Sequence, residues 1–164
     1  MPVLDILKYP DPALKSISEK ITEIDPPLLS FIDDLVDTMR ASAGVGLAAP
    51  QLGRLQRVIA IDVTPKNPGA GLIVLINPQI ISAAGSKAAR EGCLSVPEYT
   101  ANIKRAADVI VKGITPDGKE AEIASTGLEA VALQHEIDHL DGILFIDRIA
   151  NMKRDLFKRK IREG

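Results

Sequence analysis

The sequence has 164 residues, of which 46% are hydrophobic and 26% are charged, and its formal net charge is -2 at pH 7. This length suits one domain with a sizeable core, and the near-neutral charge excludes the strongly basic composition typical of nucleic-acid-binding proteins. A single cysteine cannot form an internal disulfide, and no apolar run approaches the roughly 18 to 20 residues that a membrane span requires. We therefore expect one cytoplasmic domain over residues 1–164, with neither a membrane nor DNA as a partner.

The first predicted element is an amphipathic helix that follows Asp25-Pro26-Pro27. Apolar residues recur at helical spacing between Leu28 and Met39, and we expect the helix to end near Gly44. Residues 57–63 and 72–76 are rich in β-branched side chains and predict two strands, the second of them closed by Asn77-Pro78.

The second half of the chain begins with a predicted hairpin. Residues 108–112 and 120–124 read as strands, and they flank Pro116-Asp117-Gly118, which is a strong turn signal. Apolar spacing becomes helical again from Thr126, and Asp141-Gly142 ends that run. A further helix is predicted from about Ile149 to the end, so that residues 151–164 form a basic helical tail. Helix, strands and helix in this order, without alternating strand–helix units, predict an α+β fold.

Both histidines of the chain lie in the segment QHEIDHL, from Gln134 to Leu140. Residues four apart share one face of a helix, so His135 and His139 can present two imidazoles to one ion. Glu136 is rotated by about 100° from His135 and can reach a metal-bound water without being a ligand, which is how HExxH motifs use a general base. Paired histidines on a helix are more often surface or hydrogen-bonded core residues, so this motif alone leaves both interpretations open.

A catalytic zinc-type site uses three protein ligands and keeps one position open for water. The sequence has no third histidine, and the acidic residues downstream of the helix are few. Cys93 is the better candidate, because it follows Gly92 in the segment EGCLSVP and glycine allows the backbone to approach closely. A free cysteine is usually a small buried hydrophobe, and that alternative also stays open.

Three segments resemble, in this order, the three motifs of the peptide deformylases of bacterial type: GVGLAAPQ (Gly44 to Gln51), EGCLS (Glu91 to Ser95) and QHEIDHL. ILKYPDPAL near the amino terminus and HLDGILFIDR after the helix are also similar to this family, so the resemblance covers nearly the whole chain. It implies an α+β fold in which antiparallel β-sheets pack around a central metal-binding HExxH helix, with an N-terminal and a C-terminal helix.

The same resemblance implies a hydrolase that removes the formyl group from the formylmethionine of newly synthesised polypeptides and releases formate. Cys93, His135 and His139 would bind one divalent ion, expected to be Fe²⁺ with Ni²⁺, Co²⁺ or Zn²⁺ as substitutes. Hydroxide on the metal would attack the formyl carbon, with Glu136 as the general acid and base.

The resemblance further implies that the Gln51 amide and the backbone N–H of Leu94 stabilise the oxyanion. The substrate is expected to pair as an added strand along Gly44, Val45 and Gly46. The helix face one and two turns before His135 is a candidate pocket for the methionine side chain, although apolar residues on a helix are more often core. The residues of this face are Leu128, Val131 and Ala132.

Further expectations concern the surroundings of the site. Glu91 and Arg105 are expected to form an ion pair that braces the cysteine loop, and Asp138 could orient a ligand. After Pro97 many bacterial relatives continue with Gly or with Glu-Gln-Arg, whereas this chain reads Glu98-Tyr99-Thr100. The missing arginine is expected to remove one contact to the peptide backbone.

The expected partners are N-formylmethionyl peptides and the ribosome near its exit tunnel, which the basic tail 151–164 would contact, and the protein is expected to be a monomer. Two alternatives remain: an HExxH metallopeptidase that cleaves internal amide bonds, and a non-catalytic metal-binding protein associated with the ribosome.

Overall fold

The computed structural model describes residues 3–159, in which two antiparallel β-sheets pack around one long helix. The helices are α1 (Pro26–Ala41), α2 (Gly127–Leu140) and α3 (Met152–Asp155). The strands are β1 (Gly46–Ala48), β2 (Val58–Asp62), β3 (Leu72–Ala84), β4 (Lys87–Cys93), β5 (Val96–Arg105), β6 (Asp108–Ile114), β7 (Glu120–Thr126) and β8 (Leu156–Lys158). The predicted α+β class, with antiparallel sheets around a central helix, is confirmed.

Helix α1 begins and ends where the sequence predicts. The Asp25 carboxylate caps it by accepting the backbone N–H of Leu28 at 2.9 Å, and prolines fit the first turn because the N–H that they lack has no helical partner there. The Ser42 hydroxyl donates to the Met39 carbonyl at 2.6 Å just past the last turn. The apolar face of α1 is buried against β1 and β2, and each fully buried aliphatic side chain on it contributes about 1.5 to 3 kcal/mol.

The larger sheet has the strand order β1-β2-β3-β6-β7, and the smaller sheet has the order β4-β5-β8. Strands β1 and β4 are therefore edge strands of two different sheets. The hairpin predicted around Pro116-Asp117-Gly118 is present as β6 and β7, paired in register from Asp108↔Thr126 to Ile114↔Glu120.

Strand β3 is longer than predicted, because Asn77-Pro78 does not end it. Asn77 has a φ of 52°, and the pairing of β3 with β6 shifts register beside it, so the strand accommodates both residues as an irregularity. The Asn77 side chain accepts the N–H of Ile21 at 2.9 Å and donates to the Ile21 carbonyl at 2.8 Å. This asparagine joins the amino-terminal segment to the sheet, and the strand continues to Ala84.

Helix α2 is the centre of the molecule, and every residue from Ala130 to Leu140 is buried. Its apolar residues, among them Leu133 and Ile137, pack on the larger sheet in one cluster with Ile59 and Val111. Its other face is polar yet equally buried, so the side chains there require partners from the smaller sheet. Among residues 3–159, no helix is both long enough and apolar enough to cross a membrane.

The helix predicted from about Ile149 to the end is wrong over most of the part that the structure describes. Within the basic tail predicted as helical over residues 151–164, only Met152–Asp155 is helical, Leu156–Lys158 is strand β8, and residues 160–164 lie outside the described part of the chain. Strand β8 pairs antiparallel with β5, with Phe157 opposite Thr100. The edge of β5 supplies hydrogen bonds and an apolar surface, and these outweigh a helix propensity that is only a weak preference.

Candidate metal centre

The two histidines of α2 lie one turn apart on its polar face, as the i, i+4 spacing predicts. Their ring centroids are 5.0 Å apart, and both side chains are buried. Burial, together with the charges of His135 and Arg105, holds the pKa of His139 well below its usual value, so this imidazole is neutral and can act as a ligand.

Cys93 reaches the same point from the smaller sheet. It ends β4, and the register shift between Gly92 and Cys93 is a bulge that redirects the last side chain of the strand. The thiol Sγ lies 3.4 Å from Nε2 of His139, and one donor atom each from Cys93, His135 and His139 falls within 4.8 Å of the other two. The three candidate ligands named from the sequence are thus brought together in space.

This donor set fits a single divalent ion. Ligands of a four-coordinate ion with bonds of about 2.0 to 2.3 Å lie roughly 3.5 Å apart, close to the separation of Sγ and Nε2 described above. Burial lowers the pKa of His135, but Glu136, the Cys93 thiol and Glu91 together raise it well above its usual value. The same negative surroundings favour a cation, and one thiolate with two imidazoles suits Fe²⁺, Ni²⁺, Co²⁺ and Zn²⁺.

Glu136 lies beside the three donors without being one of them. Its Oε2 is 3.9 Å from Nε2 of His135, and its buried Oε1 has no hydrogen-bond partner among residues 3–159. Burial raises the pKa of Glu136 to about 7, although the charges of His135 and Arg105 act in the opposite direction. A buried carboxyl with a free oxygen and such a pKa can both accept and return a proton near neutral pH.

Gly46 in β1 makes room for this carboxylate. A Cβ atom built on Gly46 would lie 2.7 Å from Oε2 of Glu136 and 3.0 Å from its Cγ. Any larger residue at this position would therefore displace the glutamate.

Glu91 fixes the orientation of His135. Its Oε1 is 2.9 Å from Nδ1 of the histidine, which leaves Nε2 facing Cys93 and Glu136. Arg105 donates to both oxygens of the same carboxylate, at 2.6 and 3.0 Å, so the expected ion pair is present and buried. Burial would raise the pKa of Glu91, but its hydrogen bonds with His135 and Arg105 hold the pKa below its usual value. Glu91 is therefore an anion that orients a candidate ligand.

Asp138 supports this arrangement indirectly. It accepts a hydrogen bond from Arg105 at 2.8 Å and another from Arg148 at 2.7 Å. Because Arg105 in turn holds Glu91, the contribution of Asp138 reaches His135 through two intervening side chains. Arg148 was not identified from the sequence, because only the turn after α2 brings it onto Asp138.

Gln51 and Leu94 lie close to Cys93. The Gln51 carbonyl oxygen accepts the N–H of Ala48 at 3.0 Å, which turns its amide nitrogen towards Ser95 Oγ at 3.1 Å and Cys93 Sγ at 3.7 Å. Leu94 lies in the turn that joins β4 to β5, and no backbone acceptor within residues 3–159 takes its N–H. These are the two groups that the resemblance names as oxyanion donors, and both belong to residues close to Cys93.

A cleft of about 430 Å³ opens onto these groups. One wall is formed by the edge strand β1 and the loop before it, the opposite wall by the edge strand β4, and the floor by α2. The six residues predicted for substrate binding all line it: Gly44, Val45, Gly46, Leu128, Val131 and Ala132. Leu128 is 39% exposed, so this part of the helix is accessible to a ligand.

Four basic residues at the mouth of the cleft were missed from the sequence. They are Lys66, Lys87, Arg90 and Arg159. Lys87 and Arg90 belong to β4, which was not recognised as a strand from the sequence. No sequence signal indicates Arg159, because only the pairing of β8 with β5 brings it to the cleft.

Comparison with known proteins agrees with the resemblance seen in the sequence. The chain matches the profile of the family described as polypeptide deformylase over residues 3–155. It is 52% identical over 162 residues to the peptide deformylase of Thermodesulfovibrio yellowstonii, with 99% of this chain and 98% of that protein covered. It is also 52% identical over 160 residues to the peptide deformylase of Syntrophobacter fumaroxidans, with coverages of 98% and 94%.

The fold comparison gives the same result. The crystal structure of a peptide deformylase from Legionella pneumophila superposes with a TM-score of 0.87 at 42% sequence identity, covering 93% of this chain and 89% of that one. None of these similarities supports the alternatives of a metallopeptidase or a non-catalytic metal-binding protein.

Proposed function

The chain belongs to the polypeptide deformylase family and removes the N-formyl group from nascent polypeptides, and on this basis we propose that Cys93, His135 and His139 hold the divalent ion that the reaction uses. The observation that carries this proposal is the convergence of the three donor atoms within 4.8 Å, next to a buried glutamate. When bound, the ion supplies Lewis acidity and makes water a nucleophile at neutral pH.

Glu136 acts as the general acid and base. The free Oε1 of its carboxylate accepts a proton from the attacking water, and the same carboxyl delivers that proton to the amine that leaves as the formyl C–N bond breaks. The pKa of about 7 suits both steps, because a group that titrates near the working pH can give up a proton as readily as it takes one. Such a group typically contributes about 10² to 10⁴ in rate.

Gln51 and Leu94 stabilise the negative charge that develops on the formyl oxygen. The hydrogen bond from Ala48 fixes the Gln51 amide in advance, so its nitrogen need not reorient as the charge forms. The N–H of Leu94 is fixed by the turn that holds Cys93. Removing one donor of this kind typically costs about 2.7 to 4 kcal/mol of transition-state stabilisation.

The peptide part of the substrate lies in the cleft between β1 and β4. Both are edge strands, so each can offer backbone N–H and C=O groups to an extended chain. Gly44, Val45 and Gly46 form one side of this groove. The methionine side chain enters the apolar part of the cleft along α2, lined by Leu128, Val131 and Ala132.

We propose Fe²⁺ as the ion in the cell, with Ni²⁺, Co²⁺ or Zn²⁺ able to replace it. A thiolate ligand admits iron, and it donates charge to the ion. Thiolates oxidise readily, so we expect the enzyme loaded with iron to lose activity in air.

We also propose that the protein works as a cytoplasmic monomer that meets its substrates at the ribosome. The described part of the basic tail keeps Lys153 and Lys158 exposed on the surface, where they can contact ribosomal RNA.

The decisive experiment measures formate release from a formyl-Met tripeptide, together with the metal content of the same sample, after purification without oxygen. We expect formate release in proportion to bound metal, loss of activity on chelation, and recovery when Fe²⁺ or Ni²⁺ is added. One metal ion per chain without formate release would contradict the proposed roles of the residues around the ion. Formate release that survives complete metal removal would contradict the metal centre itself.

A further inference from the structure

The mouth of the cleft carries positive charge to which the proposed function assigns no role. Lys66, Lys87, Arg90 and Arg159 line it, and the acidic residues in the same lining are Glu91 and Glu136. Both glutamates are buried at the bottom of the cleft, and Glu91 is paired with Arg105. The charge at the entrance is therefore positive.

Within residues 3–159, none of these four cations forms an ion pair with a carboxylate. Arg90 instead donates to Asn102 at 3.1 Å and stacks on the ring of Phe157 at 3.6 Å, and both of these partners are uncharged. A group of cations at one opening that are not ion-paired attracts negatively charged ligands and raises their local concentration.

Arg159 lies next to Gly92, the residue before Cys93. Its backbone N–H donates to the Glu98 carbonyl at 2.7 Å, which continues the attachment of β8 to β5. Its guanidinium lies over Gly92, the residue before Cys93, where a Cβ atom would come within 2.6 Å of Nη2. The absent side chain of Gly92 thus makes room for the guanidinium beside the cysteine.

The short side chain of Thr100 leaves space on the same face. Thr100 pairs with Gly92 across the hairpin, and its Cγ2 would be 3.5 Å from the same Cβ position. Phe157 stands opposite Thr100 on the other side, with Arg90 stacked on it. Arg159, the residue directly after β8, is therefore the part of this C-terminal segment that lines the substrate entrance.

We propose that Arg159, supported by Arg90, Lys87 and Lys66, is a specificity-determining residue that favours substrates with a carboxylate in the second or third residue of the peptide, counting the formylmethionine as the first. This inference rests on the proposed function, because it takes the cleft to be the peptide site. A guanidinium beside an extended peptide accepts a carboxylate through two parallel hydrogen bonds, which a neutral amide of the same shape cannot match.

The test compares two peptides that differ only in charge, formyl-Met-Ala-Glu-amide and formyl-Met-Ala-Gln-amide, and the same pair with the variable residue in the second position. For the wild-type holoenzyme we expect the acidic peptide to have about fivefold higher kcat/KM in at least one pair, which is the size of one favourable exposed ion pair of ~1 kcal/mol. The difference should appear in KM and decrease at high ionic strength, since the charges are exposed.

Substitutions at position 159 measure how much Arg159 contributes to the preference for the acidic peptide. We expect Arg159→Gln to reduce the ratio between acidic and neutral peptides about threefold or more, and Arg159→Glu to reverse the preference. Lys158→Gln removes the same charge from the neighbouring exposed residue, which does not line the cleft, and should leave the ratio unchanged. An equal ratio in the wild type and Arg159→Gln, or an equal fall in both single variants, would overturn the inference.

Binding gives a readout that does not depend on turnover. The dissociation constants of the two peptides are measured by calorimetry on metal-loaded Glu136→Gln protein, with and without Arg159→Gln, and we expect the same difference in affinity. No formate from any peptide would contradict the proposed function, while the ratio of dissociation constants would still decide the role of Arg159. Formate from both peptides at equal efficiency, with equal affinities, would reject the role of Arg159 alone.

Discussion

Oε1 of Glu91 lies 2.9 Å from Nδ1 of His135, so the strand that carries Cys93 also fixes the ring of a histidine on α2. We expect Glu91→Gln to weaken metal binding about 10- to 100-fold, because the ring loses a charged partner that orients it. Competition with a chelator of known affinity measures the change. The exposed Glu98→Gln serves as the control and should bind metal as the wild type does, whereas equal affinity of Glu91→Gln and the wild type would show that the carboxylate does not support the ligand.

Replacing the proposed acid and base separates chemistry from metal binding. We expect Glu136→Gln to retain one metal ion per chain while kcat for formate release falls about 10²- to 10⁴-fold, because an amide cannot carry the proton. Metal analysis and steady-state kinetics on the same preparation give both quantities. Glu129→Gln, on the first turn of the same helix, is the matched control and should not lower kcat in this way. Full activity in Glu136→Gln would contradict the assignment.

Two glycines that line the cleft should respond differently to alanine. A Cβ atom at Gly46 would meet Glu136 at 2.7 Å, whereas at Gly44 it would meet the end of the Leu94 side chain at 2.8 Å. We expect Gly46→Ala to lower kcat roughly tenfold or more with unchanged metal content, since displacement of a catalytic group is costly. Gly44→Ala should be milder, because the leucine side chain can rotate while its N–H stays in place. A larger loss in Gly44→Ala would contradict this reading of the two contacts.

The ion pairs behind the site should differ in their contribution to stability according to burial. Asp138→Ala leaves the buried Arg105 without one of its two carboxylate partners, and we expect the free energy of unfolding to fall by about 3 kcal/mol. Arg148 is 44% exposed, and Arg148→Gln should cost about 1 kcal/mol or less. Urea unfolding with saturating metal measures both free energies of unfolding. Equal losses of stability in the two variants would show that burial does not determine how much each ion pair contributes.

The proposed contact with the ribosome predicts a dependence on charge. We expect the double variant Lys153→Gln/Lys158→Gln to co-sediment less with ribosomes than the wild type, and the difference to disappear as salt rises. Lys112→Gln/Lys119→Gln, on the β6–β7 hairpin, removes the same charge elsewhere and is the control. Unchanged formate release in both double variants would show that the catalytic site is intact, and equal co-sedimentation of the two would contradict a specific role for the tail.

The parts of the molecule that depend on local spacing were predictable from the sequence. His135, Glu136 and His139 occupy one turn of α2, so their relative positions follow from helix geometry once the helix is recognised. Helix α1 was equally predictable, because its apolar spacing and its Asp25 cap indicate the same starting point.

The hairpin that carries Cys93 was not predicted. Strand β4 reads KAAREGC, without the β-branched residues typical of strands, and its turn at Leu94-Ser95 contains no glycine or asparagine. The C-terminal strand was missed for a different reason: residues 156–158 become a strand only because the edge of β5 is available about 55 positions earlier in the chain. Arg159, whose position depends on that pairing, could not have been assigned to the cleft from the sequence.

The peptide site proposed between the edges of two separate sheets also has a consequence for when the protein can act. A peptide that fills this groove must be fully extended, with its main-chain groups free to bond on both sides. An amino terminus that has already entered a helix or a sheet of its own has neither property. In the proposed binding mode, removal of the formyl group has to occur before the start of the new chain folds, and proteins whose first residues fold early have the shortest interval for it.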